Sequence, residues 1–431
     1  MLNIHEMYQQ KLVSPAEAVQ VIKSGDTIWA PPASNEPNIL FDALADRKDK
    51  LEGVRLRQFL PRRSHAYMDP SCSKNIFIEC LFATDKVRHL IRDGYATYVP
   101  VNFGDIPRMI RQSKSVDVFM ITVSPMDEYG YFTFGLGCDY SPAAIEVAKK
   151  IIVEVNPNMP RTHGYNNIHI SQVDKIVEYD IPIIELMPPK ITAMDEKIAS
   201  YIVERIEDGS TIQVGIGGVP AAVCKFLEVK KDLGIHTELI SDYIMELAGS
   251  GAVNGSQKSM HKGKAVCTIV EGTRKLFDYL DNNPSIELRP VDYTNNVTNI
   301  AQQHKMVSIN GTIEVDLFGQ CCSESIGPVI YGGSGGQSDF ARGVTMCPDG
   351  KGFIVLYSTT KNDTISKIVP VLSTGTSVTT ARNYVDHIVT EYGIVQLRGK
   401  TIRERAQAII SIAHPNFREQ LRHAAQEMHL I

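Results

Sequence analysis

Ile206-Glu-Asp-Gly209-Ser-Thr211-Ile-Gln213-Val-Gly215-Ile-Gly217-Gly218-Val-Pro220-Ala221 reads as a turn, a short apolar strand, a glycine-rich turn and the opening of a helix. Strand, glycine turn and helix in that order are the unit from which parallel α/β sheets are built. The first half of the stretch has a counterpart earlier in the chain. Ile22-Lys-Ser-Gly25-Asp-Thr27-Ile28-Trp lies 184 residues upstream and leads into a Pro-rich turn and the helix-like Asn38-Ile-Leu-Phe-Asp-Ala-Leu. A second pair follows at nearly the same offset, 189 to 190 residues. Thr84-Asp-Lys86 leads to Pro100-Val-Asn-Phe103, and Thr273-Arg-Lys275 leads to Pro290-Val-Asp-Tyr293. Two ordered matches point to a duplicated α/β domain, since solenoid repeats have far shorter periods.

The rest of the chain fits two such domains. At 431 residues it is too long for one ordinary core. Pro-punctuated Ile181-Pro-Ile-Ile-Glu-Leu-Met-Pro-Pro-Lys190 marks the boundary, giving domains at 1–188 and 189–431. A helix is expected over Asp195–Glu207, closing at Gly209. Val116–Val123, Ile151–Asn156 and Lys305–Asn310 read as buried strands, and Arg403–Ala413 as a helix. Ligands of such sheets bind beyond the carboxyl ends of the strands, so the loops after Gln213, Ile309 and Ile330 are the places to look.

Composition excludes several classes. Hydrophobic residues make up 43% and charged residues 22%, as in ordinary globular proteins. A net charge of −5 argues against a general nucleic-acid binder. No charged region followed by an apolar one opens the chain, and no apolar run is long enough to span a bilayer, so a cytoplasmic protein is expected. The eight cysteines form no C-x-x-C pair and read as reduced core residues, including vicinal Cys321-Cys322. No histidine pair has metal-ligand spacing, so no metal is expected.

Three stretches carry candidate chemistry. The Gly215–Gly218 turn begins like a dinucleotide fingerprint but has Pro220 where the third glycine would stand. Its glycines admit close backbone approach, and the helix start offers free N–H groups. His236-Thr-Glu238-Leu-Ile-Ser-Asp242 puts an acid in an apolar stretch; the H-x-E triplet lacks the P-C-x-x-C partner of zinc deaminases. On spacing alone, Glu238 reads as a cap or salt-bridge residue. Tyr331-Gly-Gly-Ser334-Gly-Gly336 contains a formal G-x-S-x-G, which raises a serine-hydrolase alternative with Asp386, His387 and His414 downstream.

Taken together, these stretches resemble the acetyl-CoA hydrolase/transferase family, and within it the 4-hydroxybutyrate and butyrate CoA-transferase branch. The resemblance runs over essentially the whole chain. It rests on Val116-Asp-Val-Phe-Met-Ile-Thr-Val-Ser-Pro125-Met-Asp-Glu-Tyr-Gly130, on Gln213–Gly217 and Gly234–Asp242, and on Ile309-Asn310 with Glu314–Gln320. Gly335-Gly-Gln-Ser-Asp-Phe340 and Val389-Thr-Glu-Tyr-Gly393 complete it.

The resemblance implies two related open-sheet α/β domains with the active site at the cleft between them. It implies a homodimer that holds no tight cofactor and uses a CoA thioester as substrate. Glu238 falls on the catalytic glutamate. Gly215, Ile216, Gly217, Gly218 and Val219 fall on the CoA-contacting turn, Asn310 on the family's Ile-Asn asparagine, and Gly333, Gly335 and Gly336 beside the thioester. The implied reaction moves CoA between a short-chain acyl-CoA and a carboxylate, 4-hydroxybutyrate with acetyl-CoA or butyryl-CoA, through a glutamyl-CoA thioester. Acetyl-CoA hydrolysis and butyryl-CoA:acetate transfer are the alternatives. One departure stands out: the family often has Gly after the Ser-Asp, where this chain has Tyr243. A ring there either reshapes the acyl pocket or packs beneath it.

Overall fold

The computed structural model describes residues 3–431; Met1 and Leu2, which open the expected first domain, lie outside the described residues. The chain forms two compact units. The first runs to Leu186 and takes in Val266–Thr294, and the second comprises Met187–Ala265 with Asn295–Ile431. A later segment, Val266–Thr294, thus folds with the first unit although it lies beyond residue 188 in the sequence.

The first unit is built on seven parallel strands: β1 (Thr27–Ala30), β2 (Val54–Phe59), β3 (Ile76–Phe82), β4 (Ala96–Tyr98), β5 (Val118–Val123), β6 (Lys150–Val155) and β7 (Lys175–Glu178). Their order across the sheet is β7-β6-β5-β1-β2-β3-β4. Every residue of β1 and β5 is buried, as expected of central parallel strands covered on both faces.

The second unit has its own sheet: β8 (Thr211–Val214), β9 (Gly234–Ile235), β10 (Met306–Gly311), β11 (Lys351–Val355), β12 (His387–Thr390) and β13 (Gly393–Gln396). Their order is β9-β8-β10-β11-β12-β13, parallel except for the β12–β13 hairpin. Neighbour relations recur between the sheets. β1, which follows Gly25, lies between its successor β2 and the next strand inward, β5; β8, which follows Gly209, lies in the same way between β9 and β10. All the anticipated strands form, within a residue or two of the expected ends.

The second sequence match has a different outcome in each half. After Thr84, a short helix (Arg88–Arg92) leads into β4 at the edge of the main sheet. After Thr273, a helix (Arg274–Leu280) leads into Ile286–Leu288, which instead pairs with His163–Gly164 in the first unit. The approach there is close: a Cβ on Gly164 would lie 2.0 Å from the Leu288 carbonyl oxygen.

Helices of the second unit that matter below are α1 (Ala193–Val203), α2 (Gly218–Phe226), α3 (Asp242–Gly249), α4 (Val297–Ala301) and α5 (Gln337–Met346). α1 is capped by Thr192 and stops at Val203, short of the expected end at Gly209. Gly209 instead has φ +76° in the turn before β8, where its N–H donates to Lys231 O. Arg403–Ala413 is helical over Ile402–Ser411. All eight cysteines are buried free thiols, Cys321 and Cys322 on one short strand. Among the described residues, no helix is long and apolar enough to cross a membrane.

α5 is set by a backbone contact. A Cβ on Gly343 would lie 2.3 and 2.5 Å from two Ile300 carbons of α4, so the two helices touch where only glycine fits. Gly343→Ala should destabilise by about 1–3 kcal/mol through overpacking, more than the gain in helix preference of about 1 kcal/mol. A lowered Tm checks this. Combined with Ile300→Ala, Gly343→Ala should cost less than the two separate losses added together.

Candidate functional site

The site is assembled at the carboxyl edge of the second unit's sheet. Three parallel neighbours end side by side there: β9 before His236, β8 before Gly215, and β10 at Asn310-Gly311. β8 is fully buried, and its register sets Gln213 opposite Ser308 and Val214 opposite Ile309. One more ladder bond, Gly215 N–H to Ile309 O at 3.0 Å, carries the alignment into the loops.

Glu238 lies three residues beyond β9 and is half-buried. Its Oε2 accepts from Asn295 Nδ2 at 2.7 Å, and the carboxylate also accepts the backbone N–H of Gly336. Burial pushes the Glu238 carboxyl up to about 7, while these two donors pull it back down. Gly336 is the N-cap of α5, so the carboxylate sits at a helix N-terminus, where negative charge is favoured. A Cβ on Gly336 would lie 1.9 Å from Glu238 Oε2 and 2.1 Å from Asn295 Nδ2. The glycine is therefore demanded by space and not by its φ of −98°. Gly335 before it does take the left-handed region, at φ +52°.

The glycine loop is held from outside the sheet. Glu324 O accepts the N–H groups of Tyr331 and Gly332, and Glu324 Oε2 accepts the Ser334 hydroxyl at 2.7 Å. Before the loop, Val329–Ile330 forms only a two-residue hairpin strand with Ser325–Ile326. A nucleophile elbow needs a main-sheet strand at that point. Ser334 is thus a loop anchor, and the G-x-S-x-G stretch builds no hydrolase elbow. Asp386 accepts from Gly352 N–H and pairs with Arg398.

The turn from Gly215 to Val219 opens α2, with Gly217 at φ +129° and the Ile216 side chain exposed. Buried Asp195 lies beneath it. A Cβ on Gly218 would come within 2.5 Å of Asp195 Oδ2, and Tyr357 donates its hydroxyl to Asp195 Oδ1 at 2.6 Å. Tyr243, on α3, is buried and donates its hydroxyl to Gly215 O at 2.6 Å. The Tyr243 hydroxyl is thereby committed to bracing the glycine turn.

Asn310 pairs with Gln213 rather than with Glu238. The two side-chain amides exchange reciprocal hydrogen bonds of 3.1 Å each. The structure thus brings Gly336 to Glu238, and Asn310 to the Gly215 turn. It adds residues that sequence reasoning missed. Asn295 stands next to Asn296, which caps α4 by accepting from Thr298 and Asn299 N–H. Vicinal asparagines before a helix were the available signal, since one cap uses only one of them. Asp339, in the first turn of α5, accepts from Asn295 Nδ2 at 3.3 Å. Among the described residues, no group of three or more His, Cys, Asp or Glu is placed to hold a metal ion.

The N-terminal domain description of the acetyl-CoA hydrolase/transferase family matches residues 2–188, and its C-terminal domain description matches residues 272–425. Glu238 falls between the two matched stretches. The chain is 49% identical to a succinyl-CoA:cyclohexane-1-carboxylate CoA transferase of Geobacter metallireducens, over 98% of this chain and 97% of that one. It is 44% identical to a 4-hydroxybutyrate coenzyme A transferase of Clostridium kluyveri, over 96% and 97%. The crystal structure of RipA from Yersinia pestis superposes with a TM-score of 0.95 at 38% identity, each chain covered in full. On these matches, the chain belongs to the acetyl-CoA hydrolase/transferase family, as one of its CoA-transferases.

Proposed function

We propose that Glu238 is the nucleophile that carries CoA between an acyl-CoA and a carboxylate. The observation that carries this is the half-buried Glu238 carboxylate with Asn295 Nδ2 and Gly336 N–H both on it. A carboxylate is the residue type required, because the enzyme group must itself become the CoA carrier.

Four displacements complete a cycle. Glu238 attacks the thioester carbonyl and expels CoA thiolate, leaving an acyl-glutamyl anhydride. The thiolate attacks the Glu238 carbonyl, releasing the first acid as its carboxylate and leaving glutamyl-CoA. An incoming carboxylate attacks that thioester, forming a new anhydride and freeing the thiolate. The thiolate then attacks the new acyl carbonyl, forming the second acyl-CoA and restoring the Glu238 carboxylate. One thioester is exchanged for another throughout, so the balance is nearly even.

Whenever the Glu238 carbonyl is attacked, its oxygen becomes an oxyanion. The Gly336 N–H and Asn295 Nδ2 already point at a Glu238 oxygen, and one such donor is typically worth about 3–4 kcal/mol. For the oxyanion on the acyl carbon, the reading assigns the second Nδ2 N–H of Asn310, the one not given to Gln213. The turn Gly215-Ile216-Gly217-Gly218-Val219, exposed at Ile216, is the surface offered to CoA, with its peptide N–H groups at the start of α2.

For substrates, the reading retains a short-chain acyl-CoA with 4-hydroxybutyrate, and acetyl-CoA or butyryl-CoA as donor. The 44% relative supports it, while the 49% relative is named for cyclohexane-1-carboxylate. A methylene is worth about 1–3 kcal/mol in an apolar pocket, so a panel of carboxylates ranked by kcat/KM decides among them. Family resemblance also supports a homodimer, which sedimentation of the purified chain tests.

Incubation with acyl-CoA followed by borohydride should reduce one residue, Glu238, to its alcohol; a label elsewhere overturns the assignment. Glu238→Ala should abolish transfer. Glu238→Asp should divert turnover to hydrolysis, because the shorter arm leaves room for water; free thiol released without an acceptor measures it. The pH profile follows from the raised carboxyl. The carboxylate is the reactive form, so kcat/KM for acyl-CoA should fall about tenfold per pH unit below 7 and level off above it. Asn295→Ala removes a donor that favours the charge, so the midpoint should move to higher pH.

A further inference from the structure

Asn295 Nδ2 stands between two carboxylates. It donates to Glu238 Oε2 at 2.7 Å and to Asp339 Oδ2 at 3.3 Å. A primary amide nitrogen has two N–H groups, and here each faces an acid. An asparagine side chain turned by half a rotation would set its carbonyl oxygen against a carboxylate, which is repulsive. Two acids around one amide therefore specify which end faces Glu238.

The distinction matters because Glu238 does not keep its charge through the cycle. As anhydride or glutamyl-CoA it is neutral, and a neutral carbonyl oxygen holds an N–H far less strongly than a carboxylate does. In those states Glu238 no longer orients Asn295. Asp339 is acylated at no step, so its oxygens remain acceptors throughout. It is buried and sits in the first turn of the ten-residue helix α5, three residues after Gly336, the N-cap of that helix. The Gly336 N–H and the acid that aims Asn295 are thus fixed on one rigid element, itself packed on Ile300 through Gly343.

We infer that Asp339 is a positioning residue that keeps the Asn295 N–H aimed at the Glu238 carbonyl oxygen while Glu238 is an uncharged intermediate. The inference rests on Glu238 being the nucleophile. It separates the steps within each half-reaction. Attack by ionised Glu238 on acyl-CoA needs Asp339 little, because the Glu238 carboxylate orients Asn295 by itself. Attack on the Glu238 carbonyl, by thiolate in forming glutamyl-CoA or by a carboxylate in discharging it, needs it most.

The test uses the full-length enzyme charged with acyl-CoA, freed of excess substrate and mixed with acetate. Asp339→Asn, close in shape, should slow discharge of glutamyl-CoA by about tenfold or more, the scale of losing an aimed oxyanion donor. The Kd for CoA, measured on the uncharged enzyme, should stay within about twofold, since no group that binds CoA is removed. On an Asn295→Ala background, Asp339→Asn should add nothing further, because the amide through which it acts is gone. Discharge at the wild-type rate in Asp339→Asn, or an undiminished effect on the Asn295→Ala background, overturns the inference. If Asp339→Asn does not fold, as judged by its melting curve, Asp339→Ser is read by the same criteria. Borohydride trapping separates the two levels. Label outside Glu238 sinks the nucleophile assignment, whereas label on Glu238 with wild-type discharge in Asp339→Asn sinks only the role of Asp339.

Discussion

The tightest constraint in the second unit is the approach of the Gly336 backbone to Glu238. There is no space between them for even one carbon: a Cβ would sit 1.9 Å from Oε2. That contact demands glycine at 336, places a peptide N–H on the carboxylate, and sets the acid at the mouth of α5. The shift of Glu238 toward neutrality shows the balance. Burial disfavours the charge, two aimed donors favour it, and the result lies near the pH at which both forms exist. A carboxylate held in water would be stable and unreactive. One buried without donors would stay protonated.

Glycine has the same meaning at the neighbouring loop. Gly218 is a glycine because Asp195 lies beneath it, and Gly336 because Glu238 lies beside it. In both places a backbone segment at a helix start is pressed against a buried or half-buried acid. Around them, side-chain oxygens hold the loops in place: Glu324 for the Gly332–Ser334 segment, Tyr357 and Tyr243 for the turn at Gly215–Gly218.

Much of this was legible in the sequence, and the limits have physical causes. Strands such as β5 were readable because buried parallel strands are near-continuous apolar runs. The glycine turn announced α2, since Pro220 fits a first helical turn. Glu238 was not legible from spacing, because what distinguishes it is a donor 57 residues away, and contact across such a separation leaves no local pattern. Asn295 was hidden for the same reason, masked further by its neighbour Asn296 serving as an ordinary cap. Asn310 was placed at the right edge of the sheet, but its reciprocal pairing with Gln213 depends on strand register, which one sequence does not reveal. That Val266–Thr294 groups with the first unit was not readable, because Thr273–Tyr293 resembles Thr84–Phe103 locally while its strand pairs elsewhere.

That displaced segment bears on how the chain is made. Residues up to Leu186 contain all seven strands of the first sheet, yet the first unit also requires Val266–Thr294. A ribosome that has released only the first 190 residues has supplied the sheet but not the strand that pairs with His163–Gly164. Completion of the first unit must wait until about a hundred further residues have emerged, by which time β8, β9 and Glu238 are already outside. The two units are interleaved in time as well as in sequence, and no single cut in the chain yields one of them whole.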